Sequence, residues 1–208
     1  MQNINKEHAV RIQLVTFALL WMATVLLTTT DQPLFNVDAL KKLPTVISAY
    51  AVLHYIFVKW VWKWKWLQGW LIPYPNLQGT WRGELISSWV NPETKEKIAP
   101  IPFVFVIRQT FYEIKCSLYT KESESHSRTA QIVEEDNALR LVFNYANVPK
   151  PSVRDRSTMH YGAASLKIVR VPTSCLEGEY WTSRKTDGEM VLEYASSKLE
   201  EKFTPKES

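Results

Sequence analysis

The chain changes its hydrophobic rhythm once, near Pro73. Before it, apolar residues come in long runs. After it, they alternate with polar residues at a period of two, the signature of half-buried strands. Ile12–Thr30 holds no charged residue and is bounded by Arg11 and Asp31. At 1.5 Å per residue it is roughly 28 Å long, about the thickness of a bilayer's hydrocarbon. Leu43–Val58 is a second uncharged run, with Pro44 in its first turn, where proline is tolerated. The pattern predicts a hairpin of two membrane-spanning helices, over about 12–30 and 43–62, joined by the short loop Asp31–Lys42.

The segment Lys59–Trp70 comes next, in which Trp60, Trp62, Trp64, Trp66 and Trp70 are interleaved with Lys59, Lys63 and Lys65. Indoles prefer the headgroup level of a bilayer, and lysines there extend their ammonium groups to water. The segment reads as an interfacial belt; a twisted edge strand is the alternative. Lys6 and Arg11 precede the first run, Lys59, Lys63 and Lys65 come after the second, and only Lys41 and Lys42 lie between. This asymmetry predicts a multi-pass protein with its N-terminus and C-terminal domain in the cytoplasm. A cleaved signal peptide over Met1–Thr30 competes, but its apolar core is long and it lacks a clear A-x-A site. Thr16, Ala18, Ala23 and Thr24 in the first run, and Ser48 and Ala51 in the second, allow close helix packing. His54 is the titratable group of the second run, expected as a neutral imidazole bonded to the neighbouring helix.

Beyond the breakers Pro73 and Pro75, alternation predicts eight strands. They lie near Thr80–Val90, Ile101–Gln109, Glu113–Thr120, Ser127–Glu134, Ala138–Ala146, Met159–Val169, Cys175–Arg184 and Glu189–Ala195. Turn chemistry separates them, as at Asn91-Pro92, Pro149–Arg156 and Thr186-Asp187-Gly188. The domains are thus 1–73, the helical hairpin and belt, and 74–208, an all-β domain. Short antiparallel strands with short connections fit an up-and-down barrel or a sandwich.

Alternation also proposes an inner face. It takes Gly79, Trp81, Gly83 and Leu85 from the first strand, and Ile114, Cys116, Leu118 and Thr120 from the third. Leu141, Phe143 and Tyr145 come from the fifth, and His160, Gly162, Ala164, Leu166 and Ile168 from the sixth. The seventh adds Leu176, Gly178, Tyr180, Thr182 and Arg184. The odd strands end on Thr120, Tyr145, and Thr182 with Arg184. In an antiparallel barrel these ends share one rim, so a polar cup over an apolar floor is expected there, the shape of a small-molecule site. Strand ends that simply reach water are the alternative. Ser123, Ser125 and Ser127 form a hydroxyl ladder expected in a loop, suited to phosphate or base edges or merely solvated.

Charge sharpens this picture. Residues 1–73 hold Lys6, Arg11, Lys41, Lys42, Lys59, Lys63 and Lys65 against Glu7, Asp31 and Asp38, so the net charge of +4 resides there and 74–208 is balanced. The basic pI is an anchor signal, and no DNA or RNA polymer is expected as a partner. Cys116 and Cys175 have no metal-ligand spacing, and two thiols or one disulfide remain open. His8, His54, His126 and His160 show no metal spacing either, and G-x-S-x-G and P-loop motifs are missing. No enzyme and no cofactor are expected.

The motifs come in a characteristic order. The two apolar runs are succeeded by P-N-L-x-G-x-W-x-G (Pro75–Gly83), I-R-Q-T-F (Ile107–Phe111) and T-x-x-S-x-S-x-S (Thr120–Ser127). Then come Y-A-N-x-P (Tyr145–Pro149), H-Y-G (His160–Gly162) and L-E-G-x-Y-x-T-x-R-x-T-x-G (Leu176–Gly188). This order resembles the two-transmembrane, β-strand-rich effectors of bacterial cyclic-oligonucleotide anti-phage signalling (CBASS), the CD-NTase-associated membrane effectors. The resemblance implies an eight-stranded, up-and-down, calycin-like minimal β-barrel behind the hairpin, in the bacterial inner membrane. It implies a cyclic dinucleotide ligand from a cognate nucleotidyltransferase, self-association into homo-oligomers in the lipid bilayer, and membrane disruption that kills the infected cell. Carried over, the ligand-binding residues are Thr120, Ser125, Ser127, Tyr145, Asn147, Tyr180, Thr182 and Arg184. Arg184 faces phosphate, Tyr145 and Tyr180 stack on bases, and the hydroxyls bond base edges or phosphate. A membrane-tethered lipocalin-like carrier of an apolar ligand is the alternative, which wants an apolar cup.

Overall fold

The structure, a computed structural model, describes residues 4–28, 41, 43–68, 71–91, 93–169 and 174–205. It divides into two units. One is Ile4–Pro73 with Thr110–Tyr112, and the other comprises Tyr74–Gln109 and Glu113–Ser208.

The first unit holds α1 (Ile4–Thr28) and α2 (Leu43–Lys59). The expected two-span hairpin is corrected here. Among the described residues, only Leu43–Lys63 is long and apolar enough to cross a membrane, at 21 residues. In α1 the apolar stretch is Gln13–Thr24, which reaches only about 18 Å. By sequence, Lys6, Glu7 and Arg11 bring charge to the start of α1, and Gln13 and Thr16 make its middle less apolar. Lack of charge is not the same as apolarity. The multi-pass inner-membrane topology is overturned by the same finding; a single-pass or a peripheral arrangement is equally consistent with one such helix. The predicted loop Asp31–Lys42 lies outside the described residues except for Lys41, as do Gly69 and Trp70.

Phe17 of α1 meets Tyr50 of α2 edge to face at 5.7 Å. His54 stacks on Tyr50 at 5.6 Å. Its bond is not made directly to α1. His54 Nε2 lies 2.8 Å from the Tyr112 hydroxyl, which accepts from Gln13 Nε2 at 2.7 Å. The Trp/Lys stretch forms two short 3-10 turns, Val61–Lys63 and Lys65–Leu67. Trp62 and Leu67 are buried, and Trp62 packs on Phe111 at 6.3 Å. Trp64 and Trp66 stay exposed and stack on each other at 6.0 Å. Lys59 Nζ sits 4.7 Å from the Trp60 ring centroid, a cation–π contact.

The second unit is a barrel of eight antiparallel strands in sequence order, with β8 closed on β1. The strands are β1 (Gly79–Ser87), β2 (Ile101–Gln109), β3 (Ile114–Tyr119), β4 (Ser123–Glu135), β5 (Ala138–Pro149), β6 (His160–Ile168), β7 (Cys175–Thr182) and β8 (Asp187–Ser196). Two boundaries matter for the site. β4 begins at Ser123, so the serine ladder lies on a strand and not in a loop. Arg184 lies beyond the end of β7, in the turn to β8. β4 carries a bulge between Ser127 and Thr129, which lets Ser125 and Ser127 face inward while Ile132 also does.

The barrel is filled at one end and open at the other. At the filled end, Trp81, Phe103, Phe105, Ile107, Leu141 and Leu166 are buried. Trp81 Nε1 donates to the Leu77 carbonyl at 3.0 Å. Gln109 ties the incoming chain down, accepting from Leu77 N at 2.7 Å and donating to the Pro75 carbonyl at 3.1 Å. A small barrel brings neighbouring backbones close. At Gly83 an added Cβ would lie 2.0 Å from the Val191 carbonyl oxygen.

After β8 the chain runs across the outside of β1–β3. Leu199 and Phe203 cover Val104, Val106 and Tyr119, which point outward yet are buried. Arg82 fixes this strap, donating to both Glu200 carboxylate oxygens at 2.9 Å and to Thr204. Thr80 Oγ1 accepts from Glu200 N at 3.1 Å.

Two of these contacts can be tested through stability. Gly83→Ala places a methyl group against backbone and is expected to cost more than about 2 kcal/mol. It should lower the melting temperature of the full chain in detergent micelles by several degrees. Arg82→Ala removes charge-assisted bonds that are largely shielded from water and should cost about 1–2 kcal/mol. Limited proteolysis should then cut within residues 197–205 faster than in the parent.

Candidate functional site

The odd strands end at the open rim, and the even strands begin there. That rim surrounds a cavity of about 840 Å³. Its floor is apolar, made by Leu85, Phe105, Leu118, Phe143 and Met190. Phe105 and Phe143 lie 5.4 Å apart at the bottom, and Phe143 leads up to Tyr145 at 5.9 Å. The walls turn polar toward the mouth.

All eight candidate residues, Thr120, Ser125, Ser127, Tyr145, Asn147, Tyr180, Thr182 and Arg184, line this cavity. They do not stand equally free. Thr120 Oγ1 is engaged in its own turn, accepting from Ser123 N at 2.9 Å and Glu122 N at 3.2 Å. Ser127 Oγ accepts from Cys116 N at 2.9 Å. Asn147 Nδ2 donates to Ser123 Oγ at 3.0 Å and Ser125 Oγ at 2.9 Å, so its amide is oriented by the serine ladder. Ser123 Oγ also lies 3.1 Å from Thr120 Oγ1, which leaves the Asn147 carbonyl oxygen and the Ser125 hydroxyl proton to meet a guest. Thr182 Oγ1 lies 2.7 Å from Thr186 Oγ1.

Tyr145 owes its place to a glycine. A Cβ on Gly162, its partner on β6, would come within 2.5 Å of the Tyr145 hydroxyl. Burial, reinforced by the neighbouring Tyr180, pushes the Tyr145 phenol up to about 12, and it remains a hydrogen-bond donor at neutral pH. Arg184 is exposed at the mouth, and its Nη1 donates to Ser157 Oγ at 3.2 Å.

Sequence patterning misses several lining residues. Alternation puts His160 on the inner face but does not assign it to the site. It lies beside Asn147 across the β5–β6 pair. Burial lowers its pKa; the Thr158 carbonyl 3.1 Å from Nδ1 offsets part of that, and Arg184 adds to it. The imidazole is therefore neutral at pH 7. Lys121, Glu122, Arg156 and Ser157 belong to the turns that ring the mouth. Turn residues carry no periodicity, so no local signal marks them. Arg156 and Glu122 meet across 34 positions of sequence. Cys116, deep in the lining, is a buried free thiol whose pKa burial raises, so it stays protonated and inert. Among the described residues no cluster of His, Cys, Asp or Glu could hold a metal ion.

The family described as "Cap15, cyclic dinucleotide receptor domain" matches residues 72–194, which spans the barrel from its entry to β8. The chain is 28% identical over 148 residues to CD-NTase-associated protein 15 of Escherichia albertii, covering 70% of this chain and 73% of that protein. Against the protein of the same name from Yersinia aleksiciae it is 30% identical over 152 residues, covering 69% of this chain and 66% of the relative. The relative from Staphylococcus schleiferi is 31% identical over 86 residues, covering 41% and 46%. The family's domain is a receptor, so the barrel is a ligand-binding module rather than an enzyme, and its ligand is a cyclic dinucleotide. By the match over residues 72–194, more than half of its length, the chain belongs to the CD-NTase-associated family that carries the Cap15 cyclic dinucleotide receptor domain.

Proposed function

We propose that the open mouth of the barrel is where the cyclic dinucleotide binds, and that binding drives copies of the chain to associate and disrupt a membrane. The observation that carries the reading is the cavity itself: an apolar floor beneath a rim of arginine, tyrosine and hydroxyl groups. Purine or pyrimidine faces suit Tyr145 and Tyr180, which offer flat rings with a polar end. Arg184 suits a phosphodiester, because its planar fork matches two phosphate oxygens. Ser125, Ser127 and Asn147 supply donors and an acceptor for base edges or phosphate, while Thr120 and Thr182 hold the turns beside them. A carrier of apolar ligands would have no use for this charged rim.

The downstream steps rest on family kinship and on the helix Leu43–Lys63. A nucleotidyltransferase activated by phage supplies the ligand. Ligand binding favours an associating form of the barrel, as any ligand does that binds one state more tightly than another. Copies attached to a bilayer are already concentrated, so a modest bias suffices to cluster them. Clustered helices then disturb the bilayer and kill the cell before phage matures.

Binding is tested by calorimetry on the full chain in detergent micelles, with cyclic di-GMP, cyclic di-AMP and cyclic GMP–AMP as probes. Arg184→Ala should weaken the best ligand by about tenfold or more, the worth of one charge-assisted contact. Its melting temperature without ligand should match the parent, because the side chain is exposed. Unchanged affinity would remove Arg184 from the site.

Membrane action is tested by dye leakage from liposomes bearing the full chain. The cognate ligand should induce leakage and larger oligomers. Val52→Arg, an exposed position in α2, places a charge inside the apolar helix at a cost of roughly 3 kcal/mol. It should abolish leakage while leaving ligand affinity intact. Leakage that persists in this variant would sink the membrane step.

A further inference from the structure

Ser157 lies between two arginines at the cavity mouth. On one side Arg184 Nη1 donates to its hydroxyl at 3.2 Å. On the other, Arg156, the preceding residue, turns its Nη2 to Glu122 Oε1 at 2.5 Å. Both arginines, Glu122 and Ser157 line the cavity. The two guanidinium groups thus come from different turns, one between β5 and β6 and one between β7 and β8, and they flank the same opening.

A cyclic dinucleotide carries two phosphodiesters on opposite sides of its ring. One guanidinium can meet only one of them. We infer that Arg156 is the second phosphate-binding residue of this cavity, and that Glu122 is an internal carboxylate that occupies Arg156 until the ligand's phosphate replaces it. The inference rests on the reading that the cavity takes a cyclic dinucleotide.

The chemistry supports an exchange. A phosphodiester and a carboxylate both present two oxygens to the guanidinium fork, so one substitutes for the other with little change in geometry. The pair is half in water, with Arg156 66% and Glu122 47% exposed, and an exposed pair is weak enough to be broken by a better partner. Breaking it does not release the loop. Lys150 N donates to the Glu122 carbonyl at 2.8 Å, and Lys150 Nζ donates to the Lys121 carbonyl at 2.7 Å. Val153, in the 3-10 turn Pro151–Val153, is buried. The β5–β6 loop therefore stays docked when Arg156 lets go of Glu122. Once Arg156 has moved to the phosphate, Glu122 is left facing the dianion, so the exchange carries an electrostatic cost that removing the carboxylate's charge would relieve. A cyclic mononucleotide, whose one phosphate is taken by Arg184, leaves the Arg156–Glu122 pair closed.

Two single variants separate this role from a structural one. Arg156→Ala removes the second phosphate contact, and Glu122→Gln removes the competitor. If the pair merely clasps the two turns, both variants break the clasp and affinity moves the same way in both. If Arg156 binds phosphate, affinity moves in opposite directions. Calorimetry on the full chain in detergent micelles, with the three cyclic dinucleotides and cyclic GMP as probes, reads this directly. For the cyclic dinucleotide bound best by the parent, Arg156→Ala should weaken binding by about tenfold and Glu122→Gln should tighten it by about threefold. For cyclic GMP, Arg156→Ala should weaken binding by less than about threefold, the screened repulsion of the carboxylate it leaves unpaired. Weakening by both variants, or no effect of Arg156→Ala while Arg184→Ala loses binding, would overturn the inference and leave the ligand reading standing. Failure of the parent to bind any cyclic dinucleotide would overturn that reading, and this inference with it.

Discussion

Closure of β8 on β1 is the constraint on which the barrel depends. Pairs from Thr80 with Ser196 to Ser87 with Gly188 join the ends of the domain and leave no free edge. Closing a sheet of eight strands forces tilt and close backbone approach, which is why Gly83 is inward-facing opposite Leu192 with no room for a side chain. The C-terminal strap lies over the same region from outside. Arg82, beside Gly83, points outward to Glu200 and Thr204. The closing seam is therefore held by backbone bonds within the sheet and charge-assisted bonds on its surface.

Closure also divides the interior unevenly. Large side chains from β1, β2, β5 and β6 fill one end, with Trp81 at the entry. Toward the other end the inward residues shrink or become polar: Ser125 and Ser127 on β4, Gly162 on β6, Thr182 on β7. The empty volume is the space that small residues leave where large ones would have filled it. Tyr145 enters it because Gly162 has no side chain to oppose it. The mouth is then organised by turns laced to one another, Lys150 to the β3–β4 turn and Arg184 to Ser157. The rim is thus ordered by its own hydrogen bonds.

The helical unit is governed by a different balance. α2 with its extension to Lys63 presents an apolar surface long enough for a bilayer. α1 does not, and its Gln13 is instead paired with Tyr112. Buried Trp62 and Phe111 show that part of the Trp/Lys stretch serves packing, while Trp64 and Trp66 keep the exposure that an interfacial role requires.

Alternation along single strands is enough to place Leu118, Phe143, Tyr145, His160 and Tyr180 on one face, because side-chain direction in a strand is a local property. It also puts the polar ends of odd strands at one rim, since antiparallel order comes with short connections. Local pattern misjudges α1, where the absence of charge in Ile12–Thr30 stands in for apolarity, and it misses that β4 begins at Ser123. Only the tertiary structure decided which polar groups are already engaged, as Thr120 and Ser127 are, and which turns meet. The pairing of Arg156 with Glu122 depends on strand register and on barrel closure summed over the chain between them. No local rhythm encodes that sum, so the inner face was legible from the sequence and the mouth's charge arrangement was not.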